Sequence, residues 1–344
     1  MAENSTDNSR IWSRIGPGNG AGVGPGIGSR IRLLGYGACF AAGCLWGTGF
    51  YFSRLALDEM SVDYMVLYRI LFGCLGVLPV ALLSRWRFTG GEFRLLVVSA
   101  ALGIPICCIL QFEGLAHTTV SHASLMVGAM PVLLGVAATL FAGERLDRVG
   151  WLALCGSTLG AALLTLGIRR GQAAPGQPTL LGDLLVLFSL FFALAWILLS
   201  KKLMRTRSPS VVSAYTILIG GAMLLPWVMG PWLLSPLTHA RVAPPPFAHL
   251  SLTAWLALAF SGLLCTATTT LLWNWGVHHV PASRAGVFLN IEPALGSWLG
   301  VRLLGEHLGP FAWVGGGLIL AAAITLTTRG NQAESASEPS ILLE

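Results

Sequence analysis

The sequence predicts an all-α membrane protein with ten transmembrane helices, arranged as two inverted five-helix repeats. Two observations indicate the membrane: 54% of the 344 residues are hydrophobic, and only 10% are charged. A chain of this composition has too little charge to cover a water-exposed surface of ordinary size. The third observation is an internal repeat, because features of residues 118–166 recur in residues 280–328.

The repeat is recognised by a proline within a helix and a glutamate in the turn after it, which occur in both copies. At a constant offset of 162 positions, Pro131 corresponds to Pro293 and Glu144 corresponds to Glu306. Each copy is an apolar segment with a proline in its middle, then a Gly-Glu turn, then an apolar segment rich in glycine and alanine. Further upstream the matching positions are 147 residues apart. The whole chain is therefore interpreted as a duplication.

Ten apolar segments have about the 20 residues that a helix needs to cross the hydrocarbon. They lie at approximately 33–56, 64–84, 95–115, 121–141, 150–168, 180–203, 211–234, 252–277, 282–304 and 310–328. The first five form a repeat over residues 33–168, and the last five form a second repeat over residues 180–328. Residues 1–32 and 329–344 are predicted to be disordered cytoplasmic tails, because they are polar or rich in glycine.

Lysine and arginine are concentrated on one side of the predicted membrane. If the N-terminus is in the cytoplasm, fifteen of the 21 Lys and Arg residues lie in cytoplasmic segments and four lie in segments outside the membrane. The loop after the first helix holds only Arg54, whereas the equivalent loop of the second half holds four basic residues from Lys201 to Arg207. The two halves therefore have opposite charge bias. This predicts inverted topology, with both termini in the cytoplasm of a multi-pass protein of the inner cell membrane.

Several short motifs resemble those of the drug/metabolite transporter superfamily, specifically the EamA-type ten-helix permeases. They are Leu45-Trp46-Gly47, the mid-helix proline before Gly143-Glu144-Arg145-Leu146, Gly182-Asp183, and Glu292-Pro293 before Leu304-Gly305-Glu306. The resemblance covers residues 33–328. It implies a bacterial-type inner-membrane permease with five-plus-five inverted helices around a central cavity. Members of this family move small metabolites, often outward, and include exporters of amino acids and related compounds.

Inverted repeats around a midplane site are typical of secondary transporters, because two related halves can exchange inward-open and outward-open shapes. We therefore expect an exporter of small metabolites, such as amino acids or related compounds, that works by alternating access. A membrane-embedded lipid-modifying enzyme and a channel are the alternatives. The sequence holds no P-loop and no catalytic constellation, so no catalytic residue and no cofactor are expected.

Glu292 is the leading candidate for binding substrate or a proton. It is the eleventh residue of a predicted helix of about 23 residues, which places it near the bilayer centre. An ionised carboxylate there is costly against lipid, so the side chain should face the inter-repeat cavity or carry a proton. Pro293 supplies no N–H, so the carbonyl of Leu289 is expected to join Asn290 and Glu292 in one polar site. The alternative is a neutral glutamic acid hydrogen-bonded between helices.

Three further polar side chains lie in the predicted outer parts of helices two and three, namely Arg69, Gln111 and Glu113. Charged groups at this depth are costly unless they face a cavity or one another. Arg69 and Glu113 lie at similar depth, so we expect them to pair, either as a structural tie or as an outer gate. Glu144 and Glu306 close their helices, and each is expected to serve the start of the following helix.

Aromatic residues inside the predicted membrane are candidates to line a cavity. The principal ones are Trp46, Tyr68 and Trp273, although packing against lipid or neighbouring helices is the alternative. His122 is interpreted as a hydrated surface group. No metal site is expected, because the seven cysteines form no C-x-x-C pair.

The expected partners are a small-molecule substrate and the lipid bilayer. The net charge of +6 comes mostly from arginines at segment ends, so it gives no case for nucleic-acid binding. Gly156 and Gly160 have the spacing that lets helices approach closely. Packing within one chain is the favoured interpretation of that spacing, and a homodimer is the alternative.

Overall fold

The computed structural model describes the greater part of the chain. The described residues are 25–84, 89–130, 132–133, 148–166, 178–238, 244–247, 249–279 and 286–337. Within these ranges every regular element is a helix, and there is no strand. The all-α class that the sequence predicts is therefore confirmed for the described part.

The helices follow the order of the predicted apolar segments. They are α1 (Pro25–Leu57), α2 (Val62–Leu83), α3 (Gly90–Ala116), α4 (Val120–Val127), α5 (Arg148–Leu166), α6 (Leu180–Leu203), α7 (Pro209–Thr238), α8 (the consecutive segments Leu252–Ala259, Phe260–Thr268 and Thr269–His279), α9 (Ile291–Leu303) and α10 (Pro310–Ser337). Within the described residues, six of them are long and apolar enough to cross a membrane: α1, α2, α3, α6, α7 and α8. Shorter apolar helices cover Arg148–Leu163 and Pro310–Thr325.

The predicted tails are partly helical. The first helix begins at Pro25 and the last one continues to Ser337, so helix extends into residues 25–32 and 329–337 of the predicted tails. Adding a turn to an existing helix costs far less than starting a new one, which favours extension from an apolar helix into polar flanks. Residues 1–24 and 338–344 lie outside the described part.

Helices α3 and α8 share a local distortion at equivalent places. Each contains a π-helical stretch, at Leu102–Ile106 in α3 and Phe260–Thr268 in α8. In α3 the stretch contains Pro105, which lacks an N–H for the regular ladder. In α8 the hydroxyl of Thr266 instead donates to the carbonyl five residues earlier, that of Ser261, at 3.0 Å. Different side chains therefore stabilise the same wide turn in the two halves.

Both helices also begin in the same way. The Thr89 hydroxyl accepts a hydrogen bond from the N–H of Glu92 and caps α3. The Ser251 hydroxyl accepts from the N–H of Ala254 and caps α8. The two N-caps are 162 residues apart, which is the offset of the sequence repeat.

A serine pair recurs at the helix contacts of the two halves. Ser53 of α1 bonds to Ser261 of α8, with 3.2 Å between the hydroxyl oxygens. Ser99 of α3 bonds to Ser200 of α6 at 3.0 Å. Ser99 and Ser261 are 162 residues apart, and Ser53 and Ser200 are 147 apart. The α1–α8 contact and the α3–α6 contact are therefore copies of each other.

Close glycine contacts repeat in the same register. A Cβ at Gly114 of α3 would lie 2.8 Å from the carbonyl oxygen of Gly182 in α6. A Cβ at Gly276 of α8 would lie 3.0 Å from the carbonyl oxygen of Gly35 in α1. Both pairs of helices thus approach at backbone distance, which only glycine allows without displacement.

The contacts also give the directions of the helices. The end of α1 lies beside the end of α3, because the Arg54 guanidinium donates to the carbonyl of Leu115 at 3.1 Å. By contrast, the start of α1 lies at the end of α8, where Gly35 meets Gly276. The end of α1 lies at the start of α8, where Glu59 accepts a hydrogen bond from the N–H of Ser251 at 2.7 Å. Hence α1 runs with α3 and against α8.

Replacing Gly160 by alanine should destabilise the chain. The new methyl group would lie 2.6 Å from the carbonyl oxygen of Gly315 in α10, and overpacking against backbone costs about 1–3 kcal/mol. Gly156 is the matched control, because nothing lies within 4 Å of a Cβ there. Thermal unfolding in detergent should give a lower midpoint for Gly160→Ala and an equal or higher midpoint for Gly156→Ala, because alanine favours the helix. Equal midpoints would contradict this packing of α5 on α10.

Candidate functional site

Arg69 lies on α2 and is held by three neighbouring helices. Its Nε donates to the hydroxyl of Thr266 on α8 at 3.1 Å, and its Nη1 donates to the hydroxyl of Ser53 on α1 at 3.2 Å. The guanidinium carbon lies 4.6 Å from the ring centroid of Phe112 on α3, within cation–π distance. These contacts fix the position of a cation in the interior of the bundle.

The expected pairing of Arg69 with Glu113 is wrong. Glu113 instead faces His117, one turn later on the same helix, with 3.2 Å between Oε1 and Nε2. Both of these side chains are 45% exposed, so water can solvate them and they need no buried partner. Gln111 is half-buried on the same helix, beside Phe112.

Glu292 is half-buried at the start of α9. Its backbone packs on α1, because a Cβ at Gly47 would lie 3.2 Å from the Glu292 carbonyl oxygen. Arg69 approaches a different face of α1, since its Nη2 lies 3.9 Å from the Cβ position of Gly49, two residues after Gly47. Arg69 and Glu292 form no salt bridge with each other.

The start of α9 differs from the predicted continuous helix. A short 3-10 segment, Gly286–Asn290, precedes the α-helix, so Glu292 and Pro293 both lie in the first turn of α9. Pro293 supplies no N–H at this junction, so the polar site expected around the Leu289 carbonyl, Asn290 and Glu292 stays a prediction. Asn290 is buried at the junction.

Neither charge is required by the duplication. At the offset of 147 the counterpart of Arg69 is Thr216, and at the offset of 162 the counterpart of Glu292 is Met130. Thr216 is buried in α7. Since equivalent helices pack with uncharged residues at these positions, the two charges are features of this site and not of the scaffold.

The three aromatic candidates fall into two groups. Trp46 of α1 and Trp273 of α8 are half-buried and in contact, with ring centroids 5.6 Å apart, and Trp46 directly precedes Gly47. Tyr68 is buried in a separate cluster, with its ring 5.2 Å from Phe247 and 5.6 Å from Trp255. Trp46 and Trp273 therefore lie beside the segment that carries Glu292, and Tyr68 belongs to the packing of α2 on α8.

A buried cluster joins the start of α4 to the start of α6. Asp183 is fully buried, accepts a hydrogen bond from Thr118 at 2.5 Å and lies 3.0 Å from Nδ1 of His122. The expectation that His122 is a hydrated surface group is wrong, because its side chain is only 5% exposed. Sequence reasoning marked Asp183 only as part of the Gly-Asp entry to the sixth helix. The spacing of 61 residues between His122 and Asp183 gave no signal of their contact.

Glu306 caps a helix of the other half. Its two carboxylate oxygens accept hydrogen bonds from the N–H groups of Val120 and Ser121, at 2.7 and 2.8 Å. It was expected to serve the following helix, so that prediction is corrected: the turn folds back onto the start of α4. A Cβ at Gly300 would collide with Ser121 and Glu306, which explains the close approach of α9 to α4. Glu144, the equivalent residue, lies outside the described part.

The described residues offer no set of metal ligands. Among them, no group of three or more His, Cys, Asp or Glu side chains could hold a metal ion. The polar groups that contact Arg69 in the interior of the bundle are the hydroxyls of Ser53 and Thr266.

Comparison with known proteins identifies the family. The model of the EamA-like transporter family matches residues 33–166 and again residues 180–328. A solved crystal structure of a protein has the same fold, with a TM-score of 0.56 and 18% identity, and the match covers 89% of this chain and 99% of that one.

Several proteins that match this chain over most of their own lengths are named as transporters or exporters. An uncharacterized transporter of Archaeoglobus fulgidus is 24% identical, over 83% of this chain and 93% of its own length. The uncharacterized transporter YwfM of Bacillus subtilis is 24% identical, over 86% and 94%. A probable terminal-alkyne amino-acid exporter of Streptantibioticus cattleyicolor is 24% identical, over 83% and 90%. With its apolar helices and its two matched halves, this chain is a multi-pass membrane protein that belongs to the EamA-like transporter family.

Proposed function

We propose that the chain is a secondary transporter that exports small metabolites, such as amino acids or related compounds. The observation that carries the proposal is the pair of opposite charges, Arg69 and Glu292, in the interior of the bundle. Charged side chains within membrane helices are costly and commonly mark solute or ion pathways. The relative named as a probable amino-acid exporter supports this substrate class.

The architecture proposed for this function is ten transmembrane helices, α1–α10, in two inverted five-helix repeats. The repeated serine and glycine contacts support equivalence of α3 with α8. Because α1 runs with α3 and against α8, these equivalent helices run in opposite directions. Opposite direction is what an odd number of crossings per repeat requires.

Alternating access is the proposed mechanism of movement. Contacts between the halves exist at both ends of the bundle: Glu306 binds the start of α4 at one end, and Arg207 binds Glu92 at the other, with 2.8 Å between Nη2 and Oε2. Polar contacts of this kind can separate at one face while those at the other face remain. The site between Arg69 and Glu292 would then open to one side of the membrane at a time.

We place the chain in the inner cell membrane with both termini in the cytoplasm. The excess of Lys and Arg in inside segments supports this orientation. It puts the turn after α1, with Asp58 and Glu59, outside. It puts the end of α6, with Lys201, inside.

Cysteine labelling tests this topology. In a cysteine-free background, Asp58→Cys should react with a membrane-impermeant maleimide in intact cells, since Asp58 is exposed and lies outside. Lys201→Cys is also exposed and should react only after permeabilisation. Labelling of position 201 but not position 58 in intact cells would overturn the orientation.

Flux measurements test the proposed transport. Purified protein in sealed vesicles should accelerate equilibration of at least one labelled amino acid or related metabolite from a panel, with saturable kinetics and without chemical change. Covalent conversion of the solute by detergent-solubilised protein would instead identify a membrane-embedded enzyme. Flux without saturation would identify a channel.

Glu292→Gln should lower transport and remove its response to a pH gradient. Glutamine has nearly the same size but cannot exchange a proton or carry a charge, whereas Glu292→Ala removes the side chain as well. The measurement is solute efflux from vesicles with and without an imposed pH gradient. A Gln variant that transports at the wild-type rate and keeps its gradient response would show that Glu292 has a structural role.

A further inference from the structure

We propose that the turn between α3 and α4, residues 117–122, is a latch that closes the outer end of the bundle, and that Asp183 and Glu306 hold it shut. The outer end is the one where α1 and α3 end, which the proposed topology puts outside. This inference rests on the proposed transport function and adds the residues that control access to the interior from that face.

The turn is fastened to the start of α6 through main-chain atoms. The carbonyl oxygen of His117 accepts hydrogen bonds from the N–H of Thr179 at 3.1 Å and from the Thr179 hydroxyl at 2.6 Å. A Cβ at Gly182 would lie 2.5 Å from the carbonyl carbon of His117, so the two segments touch at backbone distance. The Thr179 hydroxyl also caps α6, since it accepts from the N–H of Gly182 at 3.1 Å. The turn cannot leave α6 without breaking these contacts.

Asp183 binds the same turn through its side chain. Its Oδ1 accepts a hydrogen bond from the Thr118 hydroxyl at 2.5 Å, and its Oδ2 lies 3.0 Å from Nδ1 of His122. All three side chains are buried. Both carboxylate oxygens therefore have a partner in the first half of the chain. Removal of the carboxylate would leave two buried polar groups of the turn without that partner, which favours the state in which water reaches them.

Glu306 fastens the turn from a third segment, the one that follows α9. Its carboxylate accepts the N–H groups of Val120 and Ser121, at 2.7 and 2.8 Å. The Ser121 hydroxyl donates to the carbonyl of Ser297 in α9 at 3.1 Å. The first N–H groups of a helix have no acceptor within it, so the carboxylate supplies what α4 itself lacks. Two carboxylates of the second half thus hold one turn of the first half.

The latch lies next to the interior site along α3. Phe112, whose ring contacts the Arg69 guanidinium, precedes His117 by five residues. Five residues of helix span about 7.5 Å. A separation of the turn from α6 and α9 would therefore open the bundle directly on the outer side of Arg69.

The other end of the bundle is closed by different chemistry. At the offset of 147 the counterpart of Asp183 is Tyr36, so the duplication does not supply this carboxylate a second time. There the halves are joined by Glu92 and Arg207, an ion pair whose side chains are 20% and 30% exposed. Each end can therefore be weakened by substitutions that do not touch the other.

Cysteine accessibility in sealed vesicles tests the latch without any solute. Cys265 is the reporter and is kept as the single cysteine, because it is buried in α8 close to Arg69. The Cβ position of Gly49 lies 3.6 Å from the Cβ of Cys265 and 3.9 Å from Nη2 of Arg69. A membrane-impermeant methanethiosulfonate is applied to vesicles of either orientation. The face that labels Asp58→Cys is taken as the outer one.

The latch variants should change labelling from one face. Asp183→Ala and Glu306→Ala should each raise the labelling rate of Cys265 from the outer face at least about fivefold, because each removes two hydrogen bonds of the turn. Thr118→Val, which removes one donor and keeps the shape, should raise it less. Glu92→Gln should raise the rate from the inner face alone. The control Glu113→Gln changes an exposed carboxylate beside the turn and should leave both rates unchanged.

The outcomes separate the latch from the transport function. An outer rate that stays at the wild-type value in both alanine variants would overturn the latch. Equal rises at both faces, or variants that all elute as aggregates, would show that the turn only holds the fold together, and would overturn it as well. Transport is judged by flux of the solute panel through the wild type. Flux with unchanged labelling removes the latch and leaves transport, whereas the expected labelling without any flux does the reverse.

Discussion

The cost of placing charge in an apolar interior is the constraint on which the rest of this structure depends. A charged residue at the centre of a membrane helix costs about 2.5–3.5 kcal/mol by insertion scales. The bundle places Arg69 and Glu292 in its interior and offsets that cost with surrounding groups. The hydroxyls of Ser53 and Thr266 and the ring of Phe112 stabilise the Arg69 cation.

The scaffold that holds these charges is built by repetition. Small residues bring helix pairs to backbone distance at equivalent places in the two halves, as at Gly114 and Gly276. Serine pairs and N-caps recur in the same register, as at Thr89 and Ser251. The charges do not recur, since Thr216 is the counterpart of Arg69. The repeat therefore accounts for the helix contacts, whereas Arg69 and Glu292, which do not recur, are the residues that we propose for the site.

Most of the frame could be predicted from the sequence, because it depends on local patterns. Apolar segment lengths gave the helices, and the constant offset of 162 between Pro131 and Pro293 gave the duplication. Among the site residues, Arg69 and Glu292 were recognised because charge is rare within an apolar run. The contacts of the structure also extend the offset of 147 to α1 and α6, where Ser53 and Ser200 are equivalent.

Contacts between distant segments could not be predicted, because the pattern of apolar residues along the sequence does not show which distant residues touch. Depth along a helix suggested a partnership of Arg69 with Glu113, but depth says nothing about the direction in which a side chain points. The buried contact of His122 with Asp183 joins two helix starts, and Glu306 caps a helix that precedes it by 186 residues. Each of these contacts depends on how the halves pack together.

A double-mutant cycle on Arg69 and Thr266 tests the central claim most directly, because that claim is that neighbouring polar groups offset the cost of an interior charge. The free energy of unfolding in detergent, without solute, is compared for the wild type, Arg69→Gln, Thr266→Val and the double variant. The account predicts coupling of about 0.5–3 kcal/mol, with the double variant more stable than the sum of the single losses implies. Losses that add within about 0.5 kcal/mol, as expected for Arg69→Gln combined with Glu113→Gln, would contradict it.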